Sequence, residues 1–146
     1  MTRNPYLQAL IIAVASTVAN TIPYVGGCFA CIIVIGLFLY FSKLQAKENP
    51  DYGIGAGIQF GMIYAAIGTV FTLIVYSIFG SFFQQMILAE LEKNDQAGMD
   101  QVIDLITGLS HGELVMWATG IALVFSVFVG LLLGLVSGLI FKDDDE

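Results

Sequence analysis

Hydrophobic residues fall along this 146-residue chain in long blocks, with the ionisable residues gathered at the block edges. No Asp, Glu, Lys, Arg or His lies between Arg3 and Lys43, between Asp51 and Glu90, or between Glu113 and Lys142. A hydrocarbon core of about 30 Å takes roughly 20 helical residues, and each charge left inside it costs several kcal/mol. The third block therefore predicts one tilted helix over 114–141. The first block is long enough for two passages. Its middle reads Thr21-Ile22-Pro23-Tyr24-Val25-Gly26-Gly27. Proline removes a donor and clashes with the preceding turn, while paired glycines permit a tight reversal. This predicts a helical hairpin, with helices over 6–22 and 28–43 joined by a turn at 23–27. One long kinked helix with an interfacial end is the alternative.

Asn49-Pro50-Asp51 closes the next polar loop, and a third helix is predicted over 54–79. Residues 81–110 have a mixed pattern. Phe82, Phe83, Met86, Ile87 and Leu91 recur at helical spacing, as do Val102, Leu105, Ile106 and Leu109, with acidic residues on the other faces. That pattern suits a short amphipathic hairpin lying at the membrane surface or capping the bundle. The expected fold is all-α: a polytopic membrane protein with four transmembrane helices and an amphipathic helical hairpin between the third and fourth. It forms a single membrane domain over residues 1–146.

Composition sharpens this reading. The chain is 58% hydrophobic and only 12% charged, against about 45–50% and about 25% for soluble domains. These values exclude disorder and weigh against a soluble enzyme. The net charge of −7 argues against nucleic acid, which requires clustered Lys and Arg to displace counterions. Four of the five cations, Arg3, Lys43, Lys47 and Lys142, fall on one side of a four-crossing chain, leaving Lys93 on the other. The positive-inside rule then places both termini in the cytoplasm, in a cell (inner) membrane. Tyr6, Tyr40 and Tyr52 fall at the inner boundary, and Tyr24, Tyr76 and Trp117 at the outer one, as aromatic belts do.

Arg3 followed by the apolar run from Leu7 could open a signal peptide, and Val25-Gly26-Gly27-Cys28 resembles a lipoprotein cleavage box. Hydrophobicity running on to Phe41 weighs against both, because a signal core of about 7–15 residues then stops. Cys28 and Cys31 form a C-x-x-C pair. Zinc requires four ligands, which the single His111 does not complete, so no metal is expected there. As small apolar residues, the two cysteines suit tight helix packing.

Small residues recur every fourth position in two predicted helices: Gly53, Gly57, Gly61, Ala65 and Thr69, then Gly130, Gly134 and Gly138. Ala9, Ala13 and Thr17 form a weaker series. Lipid gives helices no hydrophobic reason to associate, so close approach of small-residue faces supplies the attraction. The spacing leaves open whether the partner is another helix of this chain, a second copy or a different protein. Gly53, Gly55 and Gly57 also lack the preceding strand that a dinucleotide fingerprint requires.

Apart from Lys43 at the very end of the second, no Asp, Glu, Lys, Arg or His falls inside a predicted span, unlike proton-coupled carriers, which place one at depth. Gln59 is the amide best placed to sit within the membrane, either in an interhelical hydrogen bond or lining a polar pathway. Ser110-x-x-Glu113 fits a capping box ahead of the last helix. No catalytic set is visible, and no cofactor is expected. The acidic run Asp143-Asp144-Asp145-Glu146 reads as a solvated tail.

The loop ending in Tyr52, the Gly-rich helix start through Gln59-Phe60-Gly61, the acidic amphipathic stretch and the Gly-laddered last helix occur together here. In this the chain resembles small four-helix membrane proteins of bacterial domain-of-unknown-function families common in Bacteroidota. The resemblance implies architecture and supplies no catalytic residues. The expected function is non-enzymatic: association through the glycine stripes, as a homo-oligomer or as an accessory or assembly subunit of a membrane-protein partner. The acidic hairpin, with Glu90, Glu92, Asp95, Asp100 and Asp104, would be its recognition surface. The alternative is a small oligomeric channel or carrier with Gln59 in its pathway and an acidic outer vestibule.

Overall fold

The computed structural model describes residues 4–20, 26–93 and 98–142. Among these, five helices follow one another without a strand: α1 (Pro5–Asn20), α2 (Gly26–Glu48), α3 (Ile54–Lys93), α4 (Met99–Gly108) and α5 (His111–Ile140). Three of them, α2, α3 and α5, are long and apolar enough to cross a membrane, and α1 is a shorter apolar helix.

Local chemistry explains the element ends. The Asn4 side chain accepts a hydrogen bond from the Tyr6 N–H at 2.9 Å, with Pro5 in the first helical position. An Asn cap followed by proline is a favoured helix start, since proline has no amide to leave unpaired. Residues 23–25 of the predicted turn lie outside the described residues, and Gly26 and Gly27 already belong to α2. That helix runs past its predicted end at 43 to Glu48, where Asn49-Pro50 stops it. Residues Asn49 to Tyr52 then form a β-turn. The Tyr52 N–H donates to the Asn49 carbonyl at 3.0 Å, and the Asn49 side chain accepts from the Asp51 N–H at 3.2 Å.

The largest departure from the sequence pattern is in α3. A break was expected near 80, yet α3 continues unbroken to Lys93, so the first arm of the predicted hairpin is the same helix. Its 40 residues correspond to about 60 Å at 1.5 Å per residue. Gly80 does not end it. A mid-helix glycine costs only about 1 kcal/mol, and here the missing side chain admits the His111 ring: a methyl group at Gly80 would lie 2.8 Å from His111 Cε1.

The chain forms two compact units, Met1–Phe71 with Leu123–Glu146, and Thr72–Ala122. In the first unit α1 packs along α2 and buries Gln8, Ala9, Ile12, Ala13 and Ala19 on one face. Ala9 and Ile12 join Val34, Phe38 and Phe41 of α2 and Phe60 and Tyr64 of α3 in one core, with Val129 and Leu133 of α5 against it. Phe38 lies at its centre, with ring centroids 4.7 Å from Phe60 and 6.0 Å, edge-on, from Tyr64. Aromatic contacts of this kind hold in lipid because they rest on dispersion and ring electrostatics instead of water release.

The second unit comprises the C-terminal part of α3, α4 and the beginning of α5. Gln84 of α3 donates to the Ile106 carbonyl at 2.7 Å. The same carbonyl accepts from the Leu109 N–H of the C-cap at 3.3 Å, so Gln84 adds a second donor at the end of α4. Ser110 and Glu113 form the capping box at the start of α5. The Ser110 N–H and hydroxyl donate to the Glu113 carboxylate at 2.9 and 2.7 Å, and the Glu113 N–H donates back to Ser110 Oγ at 3.3 Å.

Candidate functional site

The glycine series on α3 and α5 face each other. A methyl group built on Gly57 would collide with the Gly134 carbonyl, and one on Gly61 with the Gly130 carbonyl. One on Gly134 would come within 2.9 Å of Ile58 Cα, and one on Gly138 within 2.7 Å of the Gly53 carbonyl oxygen. The partner numbers fall by four as the α3 numbers rise by four, so the two helices run antiparallel in register. Ala65, next on the stripe, is buried, as is Ser126 on α5. The structure thus brings Gly57, Gly61, Gly130, Gly134 and Gly138 into one backbone-to-backbone seam within a single chain. Gly53 contributes only its carbonyl, and a side chain at Gly53 or Gly55 would meet nothing.

A buried hydroxyl pair fastens one end of this seam. Ser137 Oγ donates to the Gly134 carbonyl at 3.0 Å, which leaves it to accept from the Tyr52 hydroxyl at 3.3 Å. Tyr52 is 3% exposed, so its side chain is packed inside the protein. Its role was hidden because its partner lies 85 residues away. Elsewhere hydroxyls bond back into their own helices, as Thr69 does to the Ala65 carbonyl at 2.8 Å and Ser77 to the Leu73 carbonyl at 2.7 Å. Such back-bonding hides hydroxyls from lipid without a partner helix.

Gln59 sits on the second turn of α3 and is exposed. It lines a cleft of about 260 Å³ with Gln45, Glu48, Asn49, Tyr52 and Phe60. The interhelical amide bond belongs to a different pair, Gln45 Nε2 donating to Gln8 Oε1 at 2.7 Å. Gln8 is 1% exposed and was not singled out from sequence. Its i, i+1, i+4 companions Ala9 and Ile12 mark the buried face that could have identified it. The cleft offers amide and hydroxyl hydrogen bonding. Cys28 and Cys31 are free and exposed at the start of α2, so among the described residues neither makes the tight packing that its size suggested.

In the second unit the acidic groups lie at the surface. Glu92, Asp100 and Asp104 are exposed and Glu90 is half-buried, while Asp95 lies outside the described residues. No residue of α4 is buried. Met99, Ile103 and Ile106 are half-covered, whereas Val102 and Leu105 face outward, Leu105 being 68% exposed. His111 is exposed and its Nε2 lies 3.2 Å from the Ser77 carbonyl oxygen. Among the described residues, no three His, Cys, Asp or Glu side chains form a group that could hold a metal ion.

No protein-family model matches this chain, and neither a curated protein nor a solved structure does.

Proposed function

We propose that this is a non-enzymatic integral membrane protein that acts by association, as an accessory or assembly subunit of another membrane protein in a bacterial inner membrane. The bilayer is crossed four times, by α1, α2, α3 and α5, with both termini cytoplasmic. The 16 residues of α1 give about 24 Å of helix, somewhat less than the hydrocarbon core. Local thinning accommodates such a shortfall at a fraction of a kcal/mol per Å, and α1 lies packed on α2, a candidate span.

The observation that carries the reading is the contrast between the two apolar surfaces. The glycine seam is occupied within the chain, so it is not the surface offered to a partner. In contrast, α4 carries Val102 and Leu105 outward beside Asp100 and Asp104, and none of its residues is buried. Two copies meeting through α4 would set carboxylates against carboxylates, which is repulsive. A different protein presenting cations beside an apolar patch complements it in both respects. The test reverses the charge with Asp100→Lys and Asp104→Lys in the full chain, purified from its native membrane in mild detergent. Loss of a stoichiometric partner with unchanged helicity supports the reading, and retention of that partner overturns it.

A further inference from the structure

The C-terminal ends of α2 and α5 border an open, surface cavity of about 380 Å³, with Lys43, Lys47 and Lys142 in its lining beside Ala46, Ile140 and Phe141. Three of the five cations in the chain therefore converge on one small space. Lys43 and Lys47, four residues apart on α2, share a helix face, and Lys142 lies two residues beyond the end of α5. Among the described residues no carboxylate lines this cavity, neither Glu48 nor Asp51 included.

A purely structural account would have these lysines neutralise helix ends. Each helix C-terminus carries roughly half a negative charge, so two of them offset about one of the three cations. Among the described residues that line the cavity, about two positive charges remain unanswered. The walls beside them are apolar, and the cavity sits where two candidate membrane spans end. Three lysines lining one cavity beside apolar residues, at the ends of two candidate spans, match an amphiphile with an anionic head.

The geometry points to a binding site for the phosphate headgroup of an anionic phospholipid, held by Lys43, Lys47 and Lys142 with its acyl chains against Ile140 and Phe141. This site rests on the membrane-spanning reading given above. Asp143, Asp144, Asp145 and Glu146 follow Lys142 in the sequence and oppose the anion, so the lysines act against a background of negative charge.

The test reconstitutes the full chain in nanodiscs of equal phosphatidylglycerol and phosphatidylcholine, and native mass spectrometry reads the lipids retained. The wild type retains phosphatidylglycerol preferentially. Substituting Lys43→Gln, Lys47→Gln and Lys142→Gln together lowers that preference by about fivefold per lysine, whereas the corresponding Lys→Arg variant keeps it. Equal retention of both lipids by the wild type overturns the proposal without recourse to a variant. An undiminished preference in the glutamine variant overturns the assignment to these lysines. Inorganic phosphate added to a pure phosphatidylcholine disc separates the two sources: saturable binding there, with no lipid preference in the mixed disc, assigns a soluble anion and overturns the lipid. A chain that fails to enter nanodiscs tells against the membrane-spanning reading itself, an outcome distinct from entry without preference.

Discussion

Gly61 and Gly130 meet backbone to backbone across the α3–α5 seam, so that a methyl group on either would run into the carbonyl of the other. With no side chain between them, the helices approach closely enough for main-chain dispersion to hold them where water release contributes nothing. Gly61→Ala should therefore destabilise the protein by about 1–3 kcal/mol through overpacking. Gly55→Ala, where the added methyl meets nothing, should be neutral or stabilising by up to about 1 kcal/mol. Thermal unfolding of both variants in one detergent checks this, and equal shifts would remove the seam from the account.

Tyr52 and Ser137 tie the α3 end of the seam to α5 through one buried hydroxyl pair. A double-mutant cycle with Tyr52→Phe and Ser137→Ala should give a coupling of about 0.5–1 kcal/mol, the usual size for such bonds in membranes. A coupling indistinguishable from zero would mean that the two hydroxyls are satisfied independently.

Ser110→Ala removes the hydroxyl that donates to Glu113 and accepts from its N–H, and leaves only the Ser110 N–H donating to the carboxylate. The loss should be about 1 kcal/mol, as for other N-caps. Hydrogen exchange at residues 111–114 should quicken, while exchange in the middle of α5 stays as it was. Faster exchange along the whole helix would show that the box does more than fix the helix start.

If the four proposed crossings hold, tags placed at the N- and C-termini are both shielded from added protease in cells with an intact inner membrane. The same crossings predict that both tags are cut in inverted vesicles. An N-terminal tag cut from outside while the C-terminal tag stays shielded would reduce the count to three, with α1 not crossing.

Much of this architecture was legible in the sequence because charges are costly in lipid, so the charge-free blocks reveal the long helices directly. Asn49-Pro50-Asp51 likewise carried its turn in its own chemistry. Continuity through Gly80 was not legible. The apolar spacing from Phe82 to Leu91 simply continues the α3 pattern, but whether a glycine ends a helix depends on what packs there, and His111 is distant in the chain. The glycine series revealed which faces pack closely without naming their partner, since spacing encodes a surface and only the fold pairs two of them. Gln59 gave no sign of its exposure, because an amide near a helix start suits a buried bond or an open cleft equally well. The buried amide turned out to be Gln8, beside Ala9 and Ile12.

The central claim is that the seam is closed within the chain and that the α4 surface serves a different protein. It is tested most directly by native mass spectrometry of the intact complex extracted from its own membrane, for wild type and Leu105→Glu. The account predicts one copy of this chain with a stoichiometric second protein, and that protein absent from the Leu105→Glu sample. A homo-oligomer, or a partner retained by the variant, would contradict it.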